Sequence, residues 1–239
     1  MKRQPRRSRK EAPPLSPLAR AVFETTDSFL GRTSPSPAML ADLCDGLFES
    51  LDAYYAQNPP PVPLGCAPGC AHCCHNQVRA TLPEILTLVM HLHETRTELE
   101  RKELRQALAG HNRHVRGVAD MDIPRDLPCI FLNNARCSVY EVRPFACRGW
   151  HAIDREDCRR AFELRDPMAR ISHYPERRNA AVDFVRGLTR GLEKVKLPGG
   201  DIILPLGVEA VLPSSLDRFK QGWIPLFQVH TPGNLPHIA

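Results

Sequence analysis

Residues 65–75 read GCAPGCAHCCH, and this stretch carries the strongest structural signal of the chain. Four thiols lie within nine residues, on a segment that two glycines make flexible. A buried structural cysteine is usually solitary, whereas thiols two or three residues apart on a turn can converge on one metal ion. Zinc and iron-sulfur clusters are the centres that select thiolate ligands. The stretch therefore predicts a metal-binding loop that contains Cys66, Cys70, Cys73 and Cys74.

A second block of cysteines follows at Cys129, Cys137 and Cys147. Neither block closes a four-coordinate site comfortably alone, so the two are expected to meet. Two short strands, 130–132 and 138–140, joined by a turn that contains Asn133 and Asn134, predict a small hairpin. This hairpin would bring its two cysteines to the loop.

The vicinal pair Cys73 and Cys74 constrains the site, because adjacent side chains in an extended segment point apart. The two thiols are therefore not expected to bind the same ion easily, and either one site or two fits the sequence. Arg143 and Arg148 lie on either side of Cys147. A four-thiolate centre carries a net charge of about −2, so the two arginines are expected to donate hydrogen bonds to the sulfurs. The alternative is that they belong to a solvated basic turn.

The cysteine blocks occur in a specific order. They read Cys66-x3-Cys70-x2-Cys73-Cys74, then Cys129-Ile-Phe-Leu, Cys137-x-x-Tyr140 and Arg143-Pro144-x-x-Cys147-Arg148. In this order the chain resembles the YkgJ-type cysteine-cluster proteins, a family to which zinc or iron chelation is attributed. The resemblance covers about residues 64–150, and it implies a metal-associated set of seven cysteines. They are Cys66, Cys70, Cys73, Cys74, Cys129, Cys137 and Cys147.

Two positions qualify the resemblance. Ile130 stands where the family commonly has proline, which concerns the local turn and not the ligand. Glu84 stands where the family shows an acidic residue, but Thr81 followed by Glu84 is also a capping-box pattern, and the helix cap is the preferred role.

Composition places the chain among soluble globular proteins. It has 239 residues, of which 42% are hydrophobic and 25% charged, and no apolar run approaches the length of a spanning helix. The count of 9 cysteines is odd, and no apolar signal segment precedes them, so reduced thiols in the cytoplasm are expected. The basic, proline-rich residues 1–20 carry seven cationic side chains and one acidic one, so the rest of the chain is close to neutral although the net charge is +5. The near-neutral remainder predicts no specific nucleic-acid partner.

Apolar spacings of three and four residues predict helices over about 37–57, from about 82, over 97–116, over 155–164 and over 181–192. Near the C-terminus, 202–204 is a candidate strand and 206–212 a candidate helix. The expected fold is mainly α with a small β-hairpin, the cysteine loop and the hairpin packing on helices. The expected organisation is a disordered tail over 1–20, one domain over 21–230 with its cysteine cluster at 64–150, and a loose C-terminus over 231–239.

The function expected from these features is metal binding, with zinc or an iron-sulfur cluster in a structural or redox role. An iron-sulfur enzyme is the alternative, because Cys66-x3-Cys70-x2-Cys73 has the spacing of radical S-adenosylmethionine enzymes and a related cysteine cluster occurs in flagellin lysine methylases. Successive helices do not suit a β/α barrel, and no glycine-rich nucleotide loop is visible. Whether the protein is an enzyme is left open.

The remaining candidate ligands are weaker. His75 and His151 adjoin the cysteine blocks and are second choices. Cys44 belongs to an apolar helical stripe and is expected to be a core residue. Cys158, on the predicted helix over 155–164, is expected to be a free thiol that is either at the surface or half-buried.

Overall fold

The computed structural model describes residues 13–31, 35–118, 127–165 and 169–213. Within these ranges the chain is mainly helical, as the sequence predicts. The helices are α1 (Pro17–Leu30), α2 (Pro37–Gln57), α3 (Leu82–Thr95), α4 (Glu98–Asn112), α5 (Phe145–Gly149), α6 (Arg155–Glu163), α7 (Pro175–Lys194) and α8 (Leu204–Val211). The strands are β1 (Arg79–Thr81), β2 (Leu132–Asn133), β3 (Arg136–Cys137) and β4 (Asp201–Ile203), and short 3₁₀ turns span His72–His75 and Tyr140–Val142.

The long helices begin where local chemistry favours a start. The Ser36 hydroxyl accepts a hydrogen bond from the Met39 N–H at 3.2 Å, and Pro37 occupies the first turn of α2, where no N–H is needed. Ser16 and Pro17 begin α1 in the same way. Residues 17–20 are therefore helical and do not belong to the disordered tail predicted over 1–20, because proline is compatible with a helix at its first position.

The main core lies between α2, α3 and α7, whose buried stripes are mostly leucine. Cys44 is fully buried in this core, as predicted. Helix α1 packs closely along α7 because Gly187 lacks a side chain there. A Cβ at Gly187 would lie 2.4 Å from the Ala19 carbonyl oxygen.

The predicted hairpin is present but shorter and closer to its turn than expected. β2 and β3 are antiparallel, with Leu132 opposite Cys137 and Asn133 opposite Arg136. The turn residues are Asn134 and Ala135, which both adopt positive φ angles of 48° and 58°. Two consecutive left-handed residues suit the twist of a tight two-residue hairpin, so the turn lies one residue later than predicted.

A second pair of strands was not predicted as a pair. β4 runs antiparallel to β1, with Ala80 opposite Ile202, and the Arg79 Nε donates to the Asp201 carboxylate at 2.8 Å. The C-terminal segment thus returns to the chain just after the cysteine loop. No helix in the described residues is long and apolar enough to cross a membrane. The expected loose C-terminus, 231–239, lies outside the described residues.

Candidate metal centre

The cysteine loop, residues 65–75, is held at both ends by backbone hydrogen bonds. At its start, the Gly65 N–H donates to the Ala152 carbonyl at 2.9 Å. At its end, the Cys129 N–H donates to the Cys74 carbonyl at 2.7 Å. The first cysteine block therefore touches the second directly, as the sequence analysis expected of the two blocks.

Four half-buried thiols from separate segments of the chain lie in one region of the fold. Cys74 ends the loop, Cys129 is bonded to it, Cys137 lies on β3, and Cys147 lies on α5. Loss of hydration raises the pKa of Cys147 well above its ordinary value, and the charges of Cys129, Cys137 and Cys74 raise it further. Every pair within this four-thiol group interacts electrostatically. Buried thiols whose charged forms repel each other stay protonated without a cation, and a bound metal ion would favour their thiolate forms.

The vicinal pair does not point apart. Because Cys73 and Cys74 lie in a 3₁₀ turn and not in an extended segment, their thiols share a hydrogen bond. This bond raises the pKa of Cys73 and lowers that of Cys74. Cys73 also interacts with Cys147 and Cys66, so it connects the four-thiol group to the beginning of the loop.

Cys66 and Cys70 lie at the other end of the loop, near Cys158 of α6. The Ala152 N–H donates to the Cys66 sulfur at 3.3 Å. Burial raises the pKa of Cys158 to about 11, and the charges of Cys66 and Cys70 add to this effect. Cys158 is a free thiol, as expected, but it is more deeply buried than the expected surface or half-buried position. The signal was available, because Cys158, Ala161 and Phe162 are the apolar residues of an otherwise charged helix.

The donor set fits zinc or an iron-sulfur cluster in its chemistry, because the seven predicted cysteines are half-buried and gather in one region of the fold. Their present spacing is looser than ligation requires. In the part of the chain that the structure describes, no three His, Cys, Asp or Glu side chains stand close enough to hold an ion. Binding would therefore draw the sulfurs closer together.

The prediction that Arg148 donates to the cysteine sulfurs is wrong. Its guanidinium is buried and donates to the Asp52 carboxylate at 2.5 Å, to the Arg143 carbonyl at 3.0 Å and to the Glu141 carbonyl. It also lies 4.2 Å from the ring centroid of Phe48. All three nitrogens are engaged, so Arg148 fastens the segment before Cys147 to α2. Arg143 donates to the Tyr140 carbonyl and stacks on that ring.

Comparison with known proteins supports this region as the functional one. Residues 65–166 match a family model, CxxCxxCC, described as "Putative zinc- or iron-chelating domain". These residues, under half of the chain, are similar to the CxxCxxCC family. The match confirms the family resemblance and runs past it, through α6. No curated protein and no solved structure matches the chain.

Within the matched residues, Glu84 caps a helix and also joins two elements. One oxygen of its buried carboxylate accepts hydrogen bonds from the Thr81 N–H at 2.6 Å and the Thr81 hydroxyl at 2.7 Å. The other oxygen accepts from the Phe145 N–H at 2.8 Å. The predicted capping box is therefore confirmed. The additional bond to Phe145 anchors the start of α5, which carries Cys147, so Glu84 positions a candidate ligand.

The two histidines considered as metal ligands, His75 and His151, have other neighbours. The His75 ring lies 4.5 Å from the Phe162 ring, and its Nδ1 is 3.2 Å from the Ala71 carbonyl. The His151 ring lies 6.0 Å from the Tyr55 ring. Loss of hydration lowers the pKa of His151 to about 4, and the nearby charge of Arg177 lowers it further. Both rings therefore pack within the protein scaffold.

Proposed function

We propose that this protein binds zinc or an iron-sulfur cluster through its two cysteine blocks. The ligands are drawn from Cys66, Cys70, Cys73, Cys74, Cys129, Cys137 and Cys147. The observation that carries the proposal is the four-thiol group, in which Cys74, Cys129, Cys137 and Cys147 interact pairwise although they come from separate elements. The CxxCxxCC family supports metal chelation independently of that geometry.

The role proposed for the metal is structural or redox-related. A centre bound by the four-thiol group would join the cysteine loop, β3 and α5. These elements are short, and β3 has only two residues. Structural zinc contributes about 10–16 kcal/mol of binding free energy in small zinc-folded peptides, which is enough to order such short elements. Zinc would supply cross-linking alone, whereas an iron-sulfur cluster would also supply one-electron transfer.

The protein's own residues would contribute position and electrostatic environment. Glu84 holds the start of α5, and Arg148 holds the segment before it. Together they fix the backbone that carries Cys147. A cytoplasmic location, where thiols stay reduced, is part of this proposal.

Serine substitutions test the ligand set with a matched internal control. Cys70→Ser and Cys137→Ser each remove one thiol from a different block, whereas Cys44→Ser changes a core cysteine that hydrogen-bonds Thr87. Serine keeps the size but binds soft metals weakly, because its hydroxyl stays protonated. We expect metal content per chain to fall in the first two variants and to remain at the wild-type value in Cys44→Ser, measured by elemental analysis after anaerobic purification.

The reverse pattern would overturn the ligand assignment. Full metal content in both Cys70→Ser and Cys137→Ser, together with metal loss in Cys44→Ser, would show that the centre lies elsewhere. Far-UV circular dichroism of each variant separates loss of metal from loss of fold.

A further inference from the structure

Two arginines that are withdrawn from water differ from the others in having no counter-charge. In the described residues, eight arginines are buried or half-buried. Six of the eight pair with a carboxylate: Arg79, Arg96, Arg101, Arg105, Arg148 and Arg186. The other two, Arg143 and Arg177, have no carboxylate partner among the described residues. A charge that is withdrawn from water costs free energy unless an opposite charge compensates it.

The two unpaired arginines act on the same pair of side chains. The guanidinium carbon of Arg177 lies 4.9 Å from the centre of the Tyr55 ring, and the Tyr55 hydroxyl donates to the Arg177 carbonyl at 2.8 Å. The His151 ring packs edge-on against Tyr55, with 6.0 Å between the ring centroids. The charges of Arg177 and Arg143 both reach Tyr55 and His151. Helices α2 and α7 and the segments on either side of α5 therefore meet around Tyr55.

Arg143 is oriented by contacts that leave its charge uncompensated. Its guanidinium stacks on the Tyr140 ring at 3.8 Å, and its Nη1 donates to the Tyr140 carbonyl at 2.8 Å. Loss of hydration lowers the pKa of Arg143, and the charge of Arg148 adds to this effect. A carbonyl and an aromatic face hold the guanidinium in place, but neither carries a full negative charge.

Asp52 supplies negative charge to this region, but Arg148 already uses it. The Asp52 carboxylate lies one turn before Tyr55 on α2 and accepts a hydrogen bond from the Arg148 Nη1. With Arg143 and Arg177 added, three positive charges face one negative charge, and two positive charges remain. Of the Asp52 side chain, 52% is exposed, so solvent reaches this side of the region.

We propose that Arg143 and Arg177 bind the oxyanion group of a small ligand, a carboxylate or a phosphate, beside Tyr55. A planar guanidinium can donate two parallel hydrogen bonds to either group. The Arg177 Nε is buried and has no hydrogen-bond partner in the described residues, so a donor is left for a ligand. The two remaining positive charges favour a doubly charged ligand. The site goes beyond the proposed function, because it needs no metal and α7 lies outside the matched residues.

Binding of two small dianions to the full-length protein tests the assignment. Inorganic phosphate and malonate are titrated calorimetrically at an ionic strength held constant with sodium chloride, which screens non-specific attraction. We expect at least one of them to bind, and the tighter one identifies the class of ligand. Arg143→Gln and Arg177→Gln should each weaken this binding about 10- to 100-fold, as expected for loss of a charge-assisted hydrogen bond. Arg186→Gln is the control, because it removes a half-buried arginine of α7 that pairs with Asp183, and it should bind as wild type does.

Three results would overturn the inference. The first is wild-type protein that binds neither anion above the chloride background. The second is wild-type affinity in both Arg143→Gln and Arg177→Gln, because the anion would then bind elsewhere, for example at a metal. The third is equal weakening in Arg186→Gln, which would indicate general attraction to positive charge. Metal content is measured separately, so none of these results decides the proposed function.

Chemical modification of the wild-type protein covers the case in which a glutamine variant does not fold. Phenylglyoxal modifies accessible arginine side chains, and peptide mapping reports each arginine separately. The tighter anion should protect Arg143 and Arg177, whereas the exposed Arg178, next in the chain, should react as it does without the anion. Unchanged modification of Arg143 and Arg177 in the presence of the anion would contradict the assignment.

Discussion

At the scale of single residues, the cysteines differ in what surrounds them. Cys44 is enclosed by apolar side chains, and burial raises the pKa of its thiol, which keeps it neutral. The seven predicted ligands are half-buried and lie near other thiols. Their order along the chain predicts them as ligands through the family resemblance, because the spacing of cysteines is a local pattern. The position of Cys158 depends on how α6 docks, which a local pattern does not contain.

His151 provides a residue-scale prediction that does not involve the metal. Its pKa is lowered to about 4 from an ordinary value of 6.5, so the unfolded chain binds a proton that the folded chain does not between these pH values. The stability contributed by neutral His151 is present above pH 6.5 and is lost as the pH falls toward 4. For one proton, the free energy of unfolding changes by at most about 1.4 kcal/mol per pH unit. Solvent screening of this half-buried ring reduces the expected loss of unfolding free energy between pH 7 and pH 5 to about 1 kcal/mol.

Chemical denaturation at the two pH values measures this effect in wild type and in His151→Gln. Both proteins share the pH dependence of metal binding, so it cancels when their changes in unfolding free energy are subtracted. The variant should lose less stability than wild type on acidification. An identical loss in both proteins would show that His151 is not held neutral by the fold.

At the scale of elements, helices were predicted well and contacts were not. The apolar stripe of α2 and the cap of α3 place both helices at the predicted residues, because periodicity and capping are encoded within a few turns. The strands of the hairpin were predicted too far from the turn. The structure has a tighter connection because Asn134 and Ala135 adopt positive φ angles. Pairing of β1 with β4 joins residues far apart in sequence, so no local pattern indicates it.

The contact between the loop and α6 gives the element-scale prediction. Gly65→Ala places a Cβ 2.5 Å from the Arg155 nitrogen and 2.9 Å from the Ile153 carbonyl oxygen, so the loop has to move away from α6. We expect a loss of about 1–3 kcal/mol in the free energy of unfolding, the usual range for an overpacked contact, together with faster metal release.

Gly46→Ala is the control, because a Cβ at Gly46 of α2 meets nothing within 4 Å. In a helix this change should be neutral or stabilise the protein by about 0.5–1 kcal/mol. Thermal and chemical unfolding of the two variants measure the difference. Gly65→Ala as stable as Gly46→Ala would show that the loop does not rest on α6.

At the scale of the whole molecule, a helical scaffold surrounds a region that lacks extensive regular structure of its own. α2, α3 and α7 share the main core, while the cysteine region contains a loop, a two-residue-per-strand hairpin and the five-residue α5. The fold class and the location of the cysteine region could be predicted from sequence, because helical periodicity and clustered thiols are strong signals. Which cysteines lie near one another depends on tertiary contacts.

Metal analysis of anaerobically purified full-length protein tests the central claim most directly. Zinc, iron and acid-labile sulfide are determined per chain, and the absorption spectrum is recorded. We expect either zinc in a colourless protein, or iron with sulfide in a brown protein that absorbs broadly near about 400 nm. Less than about a tenth of an equivalent of any transition metal, with no uptake on anaerobic reconstitution, would contradict the account.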